Sequence, residues 1–153
     1  MSRRPAQVLV YVARWAGDDW EFLLLGRIPS RGGFWQGVTG GAEWGEPLLE
    51  AARRELLEET GLSPLKLEQL DFAYTLPLDE EDRRLYGPEV EKVEEFVFLA
   101  LVEAEGSEPR LDPNEHDLWR WCRFEEALEV LTWPENKEAL RRCHEALLNR
   151  AKS

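Results

Sequence analysis

The sequence predicts an α/β domain, because short runs rich in β-branched and aromatic residues recur along it and longer stretches with helix signals lie between and after them. Residues 8–15 and 20–25 are the first two runs, separated by Ala16-Gly17-Asp18-Asp19, and read as a hairpin. Residues 26–33 form a loop that carries Arg27, and residues 34–39 form a short strand leading into a glycine pair. Residues 46–61 read as a helix, since Glu46 and Pro47 suit a helix start and Gly61 suits a stop with positive φ. Residues 67–76 alternate as a strand does, and 96–102 are apolar enough for a buried one. The acidic segment 76–93 between them reads as a long loop, and 103–112 as a polar turn region. Residues 118–123 are a last, aromatic strand; 125–131 and 135–150 are helix-like, the latter with Leu140, Cys143 and Leu147 on one stripe.

With 153 residues, 43% of them apolar and 7 tryptophans, the chain suits one domain spanning residues 1–153. The 31 acidic against 19 basic residues give a net charge of −12, which disfavours nucleic-acid or membrane partners. Any phosphorylated small molecule then needs local cations to overcome that field. Cys122 and Cys143 have no metal-ligand spacing and read as free thiols of a reducing compartment. Residues 1–5 are short and basic, with no apolar run behind them long enough for a signal or span, so a cytoplasmic protein is expected.

The helix at 46–61 carries the chemistry. Positions three and four apart share a helix face, so Glu55, Glu58 and Glu59 project together. Like charges at this spacing repel by about 0.2–0.5 kcal/mol per pair, and the C-terminal end of a helix disfavours anions further. Arg54 is close enough to hold one carboxylate but not to bridge all three acids. A hard divalent ion can, because Mg²⁺ and Mn²⁺ prefer carboxylate oxygens and leave positions open for water or phosphate. On spacing alone an ordinary solvated face is the better reading, since charge runs usually are solvated faces.

The wider arrangement separates these readings. Gly40, Glu46, Arg54, Glu55, Leu56, Glu58, Glu59, Gly61 and Leu62 fill every defined position of Gly-x5-Glu-x7-Arg-Glu-U-x-Glu-Glu-x-Gly-U, where U is apolar. Residues 40–62 thus resemble the Nudix box, the signature of the Nudix hydrolases. The resemblance implies an α/β/α sandwich with a mixed sheet between helices, and a Mg²⁺- or Mn²⁺-dependent hydrolase of diphosphate linkages in nucleoside-diphosphate-X compounds. It implies Glu55 and Glu59 as the leading metal ligands, Glu58 as a further ligand or the general base, Arg54 as the residue orienting the carboxylates, and Glu46 as support for the loop or a second ion. The implied catalytic set is therefore Glu58, Arg54 and Glu55. Glu115 either completes the metal site or is an exposed loop acid. Arg27 either lines the substrate cleft or is a solvated loop charge.

Phe34-Trp35-Gln36-x-Val38-Thr39-Gly40, together with Asn114-Glu115-His116 and the aromatic strand after it, is more weakly similar to the subfamily that hydrolyses dihydroneopterin triphosphate. That similarity implies substrate contacts from Arg27, Thr39 and Arg3, and a nucleotide or pterin triphosphate as substrate. Residues 76–93 depart from it; Tyr74, Arg83, Arg84 and Tyr86 there are candidate stacking or phosphate contacts, or plain loop residues. Trp35 reads as core. A dinucleoside polyphosphate hydrolase, a general nucleotide pyrophosphohydrolase, and a non-catalytic Nudix-fold nucleotide-binding or sensor module remain the alternatives. The last of these is disfavoured by the intact set of box acids.

Overall fold

The computed structural model describes residues 2–150, and its sheet is assembled around the first strand, β1 (Ala6–Trp15). β1 turns into β2 (Trp20–Arg27) through the expected hairpin, with Trp15 opposite Trp20. Next come β3 (Trp35–Gln36), β4 (Val38–Gly41) and α1 (Leu48–Thr60). β5 (Lys66–Pro77), α2 (Glu80–Tyr86), β6 (Lys92–Leu101), β7 (His116–Arg123), α3 (Phe124–Val130) and α4 (Pro134–Arg150) complete the order. β1 pairs in parallel with β6 and antiparallel with β2 and β4; β5 pairs with β6, and β7 and β3 with β2, all antiparallel. The sheet is therefore mixed.

Both of its faces are covered. Val8, Val10 and Val12 point to the side where Ala51, Ala52 and Leu56 of α1 pack, while Leu9, Tyr11 and Ala13 point to the side of Ala127 in α3 and Leu140, Cys143 and Leu147 in α4. Double burial is why residues 8–13 are apolar without alternation. A fully buried Leu or Val contributes about 1.5–3 kcal/mol. Exposed ion pairs such as Arg142–Glu138 are screened by water, so the two packed layers and not the surface charges hold the sandwich. Among the described residues no helix is long and apolar enough to cross a membrane.

Three local expectations are corrected. Arg27 is not in a loop: it is the last residue of β2, at a register shift against β7 that re-aims its side chain. Residues 34–39 are not one strand, because the chain changes partner at Gly37, from β2 to β1. A Cβ at Gly37 would stand 2.9 Å from Tyr11 Cε1 and 3.0 Å from Leu9 Cδ1, so this crossing is packed against the core. Segment 76–93 is not a continuous loop: β5 and β6 extend into it as far as the pair Pro77 and Lys92, and α2 sits at its tip, capped by Asp79, which accepts from the Asp82 amide. α1 starts at Leu48, later than expected, so Glu46 stands in the turn before it; Gly61 closes it as expected, at φ 72°.

Cys122 and Cys143 are free and buried, as expected. Burial pushes Cys122 up to about 11 and Cys143 upward as well, and the thiolate is the reactive form. Neither thiol should react with Ellman's reagent in the folded protein during a period in which both react in concentrated urea. Rapid labelling of the folded chain would contradict this packing.

Candidate active site

One cavity of about 660 Å³ gathers the residues that the sequence singled out. α1 contributes Arg54, Glu55, Glu58 and Glu59; β4 contributes Thr39, Gly40 and Gly41; Arg27 ends β2, and Glu115 and His116 stand where β7 begins. Arg3, Arg4, Trp44 and Tyr86 line its outer part. Of the other residues considered at 74–86, Arg83 donates to the Pro88 and Val90 carbonyls, and Tyr74 lies in a separate buried network.

Arg54 spends all five N–H donors on this site. Nε and one Nη bind both oxygens of Glu46 at 2.8 and 2.9 Å, that same Nη meets the Gly41 carbonyl at 2.8 Å, and the other Nη meets Glu55 at 2.9 Å and Glu58 at 3.3 Å. It therefore reaches two of the three clustered acids, one more than its sequence position promised, and leaves out Glu59. Glu46 is held down to about 2, chiefly by its bond to Arg54. Glu55 behaves oppositely: burial pushes it up to about 7, outweighing the neighbouring guanidinium. Glu59 is as deeply buried, and its partner is His116, with Nδ1 3.3 Å from Oε2.

The N-terminal segment straps the box loop into place. Arg4 donates to the Glu43 and Glu46 carbonyls at 3.0 and 2.7 Å, Trp44 donates to the Ser2 carbonyl at 2.7 Å, and the Arg3 amide reaches Leu85 at the end of α2. Arg3 thus stands on the cavity wall beside Tyr86, while Arg4 is committed to the loop. Arg27 and Glu115, 88 positions apart, form a 2.9 Å ion pair across the cavity, and Arg27 Nε is buried without a protein partner among the described residues.

A hard divalent ion suits this donor set, because two desolvated carboxylates and one exposed carboxylate line the same cavity. No three His, Cys, Asp or Glu side chains among the described residues already converge on one ion-sized point. Glu58 is the most exposed of the three and has the longest contact with Arg54.

A second cavity of about 260 Å³ adjoins the first, sharing Gln7, Arg27 and Thr39. Glu95 lines it, 2% exposed, accepting from Gln7 and from the Tyr74 hydroxyl, which in turn accepts from Asn136 at 3.0 Å. Burial raises the Glu95 carboxyl above its ordinary range, against the pull of Tyr74 and Gln7. Phe34 and Trp133, edge to face at 4.5 Å, form another wall. Sequence reasoning missed Gln7, Gln36, Glu95 and the role of His116. Glu95 was the legible one, as a charge at an inward position between Val93 and Val97. Trp35, expected in the core, is partly buried against it.

Gly40 lies directly beneath Glu55, and a Cβ there would overlap the Glu55 carboxyl. Because the clash is with the tip of a flexible side chain, Gly40→Ala should leave the melting temperature nearly unchanged. Displacing a catalytic group by about 1 Å can cost on the order of 100-fold, so kcat/KM should fall by that order. Unchanged turnover would show that the position of Glu55 does not matter.

The NUDIX domain family model matches residues 3–143. The octanoyltransferase of Myxococcus xanthus is 38% identical over 136 residues, covering 89% of this chain and 36% of that protein. The RNA pyrophosphohydrolase of Bartonella clarridgeiae is 37% identical over 105 residues, covering 63% of this chain and 61% of that protein. The chain therefore spans less than two thirds of these relatives. The dihydroneopterin triphosphate diphosphatase of Escherichia coli K12 is 29% identical over 143 residues, covering 90% and 91%. Among solved structures, a protein of Listeria monocytogenes described as a NUDIX hydrolase superposes with TM-score 0.83 at 30% identity, covering 96% of this chain and 97% of that one. The E. coli dihydroneopterin triphosphate pyrophosphohydrolase does so with TM-score 0.73 at 25% identity, covering 95% and 99%.

Proposed function

This chain belongs to the NUDIX domain family, and from that premise we propose that it is a Mg²⁺- or Mn²⁺-dependent pyrophosphohydrolase whose substrate is the triphosphate of a small planar heterocycle, a pterin or a nucleoside. The observation that carries this reading is the pair of adjoining cavities. The larger, acidic and arginine-lined, suits a polyphosphate with its counter-ions; the smaller, with an aromatic wall and hydrogen-bonding Glu95 and Gln7, suits a ring. Two relatives support it, since both the E. coli dihydroneopterin triphosphate diphosphatase and the B. clarridgeiae RNA pyrophosphohydrolase carry diphosphate-cleaving names. The net charge of −12 favours a small substrate over an RNA end.

Glu55 and Glu59 would hold the ion, which when bound neutralises phosphate charge and acidifies coordinated water. Arg54 and Glu46 would keep the Glu55 carboxylate and the box loop in register. Glu58 is the candidate general base, since it is exposed and least tied down, and so freest to take a proton from the attacking water. Arg27 and Arg3 would bind phosphate oxygens, with Thr39 at the junction of the two cavities and Glu115 steering Arg27 or joining the ion when substrate enters. Water adds to the α phosphorus as the α–β bridging bond breaks, giving a monophosphate and pyrophosphate.

A panel of dihydroneopterin triphosphate, dATP, diadenosine tetraphosphate and a 5′-triphosphorylated RNA oligomer tests the substrate. The expected result is hydrolysis lost in EDTA, restored by Mg²⁺ or Mn²⁺, and highest in kcat/KM for one of the two small triphosphates, with ¹⁸O from water appearing in the monophosphate. Preference for the RNA or the dinucleotide would contradict this assignment.

A further inference from the structure

We propose that His116 is a positioning residue for Glu59: its imidazole, clamped between Gln36 and Glu59 against the catalytic cavity, decides which carboxylate oxygen is left for the divalent ion. The inference rests on Glu59 being an ion ligand. His116 is 2% exposed, and a polar ring buried there without partners would destabilise the fold. Both of its nitrogens are met, Nε2 by the Gln36 amide nitrogen at 2.9 Å and Nδ1 by Glu59 Oε2 at 3.3 Å.

The direction of these bonds follows from the partners. An amide nitrogen can only donate, so Nε2 of the ring accepts and the ring proton sits on Nδ1, aimed at Glu59. Gln36 is itself buried and is steadied by Thr39 Oγ1 at 3.4 Å. Backbone pairing anchors the ring's own residue: His116 lies opposite Arg27 in the sheet, and its amide bonds the Asp112 carbonyl at 3.0 Å. With Oε2 taken by a ring that cannot move away, Oε1 is the oxygen available to an ion. The two buried carboxylates therefore have separate holders, Arg54 for Glu55 and His116 for Glu59. A partner of this kind typically changes metal affinity by about 10–100-fold when removed.

An asparagine places its amide nitrogen where Nδ1 stands, and a glutamine places it near Nε2, so the two substitutions separate positioning from packing. Mn²⁺ binding, followed by electron paramagnetic resonance without substrate, should weaken by about 10–100-fold in His116→Gln and stay close to wild type in His116→Asn. Thermal melts should show both variants folded. Equal losses in the two, or no loss in His116→Gln, would overturn the proposal. Nitrogen-15 NMR of the ring in the wild-type, metal-free protein gives a test that needs no variant: Nδ1 should be protonated and Nε2 bare, and the opposite tautomer would overturn the proposal. Glu59→Gln in the same titration separates the levels. Wild-type Mn²⁺ affinity there would remove Glu59 as a ligand and overturn this proposal with it, whereas a loss in Glu59→Gln without one in His116→Gln would overturn the positioning role alone.

Discussion

Burying carboxylates next to one another is the constraint on which this molecule turns. Glu55 and Glu59 are both within the packed surface of α1, and Glu58 stands on the same face. The protein answers that repulsion with one guanidinium and one imidazole. Arg54, with every donor used, ties Glu46 and the Gly41 carbonyl to Glu55 and Glu58, so that helix and preceding loop behave as one rigid piece. A lysine could not do this, because an ammonium has three donors and no planar fork. Burial still pushes the Glu55 carboxyl upward, outweighing its guanidinium partner.

Around that piece the fold acts as scaffolding. β1 is the common neighbour of β2, β4 and β6, and its two buried faces fix α1 on one side and α3 and α4 on the other. The change of strand partner at Gly37 lets Gln36 and Thr39 serve different strand pairs while still meeting beside the cavity. The shift at Gly26 and Arg27 does the same for Arg27, delivering it to Glu115. These two irregularities of the sheet thus coincide with residues that line the two cavities.

The sequence made the helix and its acids legible because their information is local: spacing, a start at Pro47 and a stop at Gly61. Strand positions were legible for the same reason wherever both faces are buried, as in residues 8–13. What stayed hidden depends on long-range pairing. The Arg27–Glu115 pair, the Glu59–His116–Gln36 chain and the Gln7–Glu95–Tyr74 cluster each join segments that only the sheet brings together. α2 was missed because its seven residues bury nothing and so show no apolar stripe, although Asp79 marks its start. The outer half of β6 was missed because Lys92 and Glu94 face solvent and Glu95 points inward, which breaks the apolar run.

If the clustered acids are kept for an ion and not for folding, removing one of them should remove the ion's effect on stability. Thermal melts of wild type and Glu55→Gln with and without Mn²⁺ test it most directly, since glutamine retains an oxygen for Arg54 but removes the charge. An ion at 100 times its dissociation constant stabilises the folded state by about 2.7 kcal/mol. For a chain of this size that corresponds to a rise of roughly 5–10 °C. That rise is expected in wild type, and in Glu55→Gln a melting temperature at least equal to wild type without Mn²⁺ and little further gain with it. An equal Mn²⁺-induced rise in both proteins, or none in wild type, would contradict it.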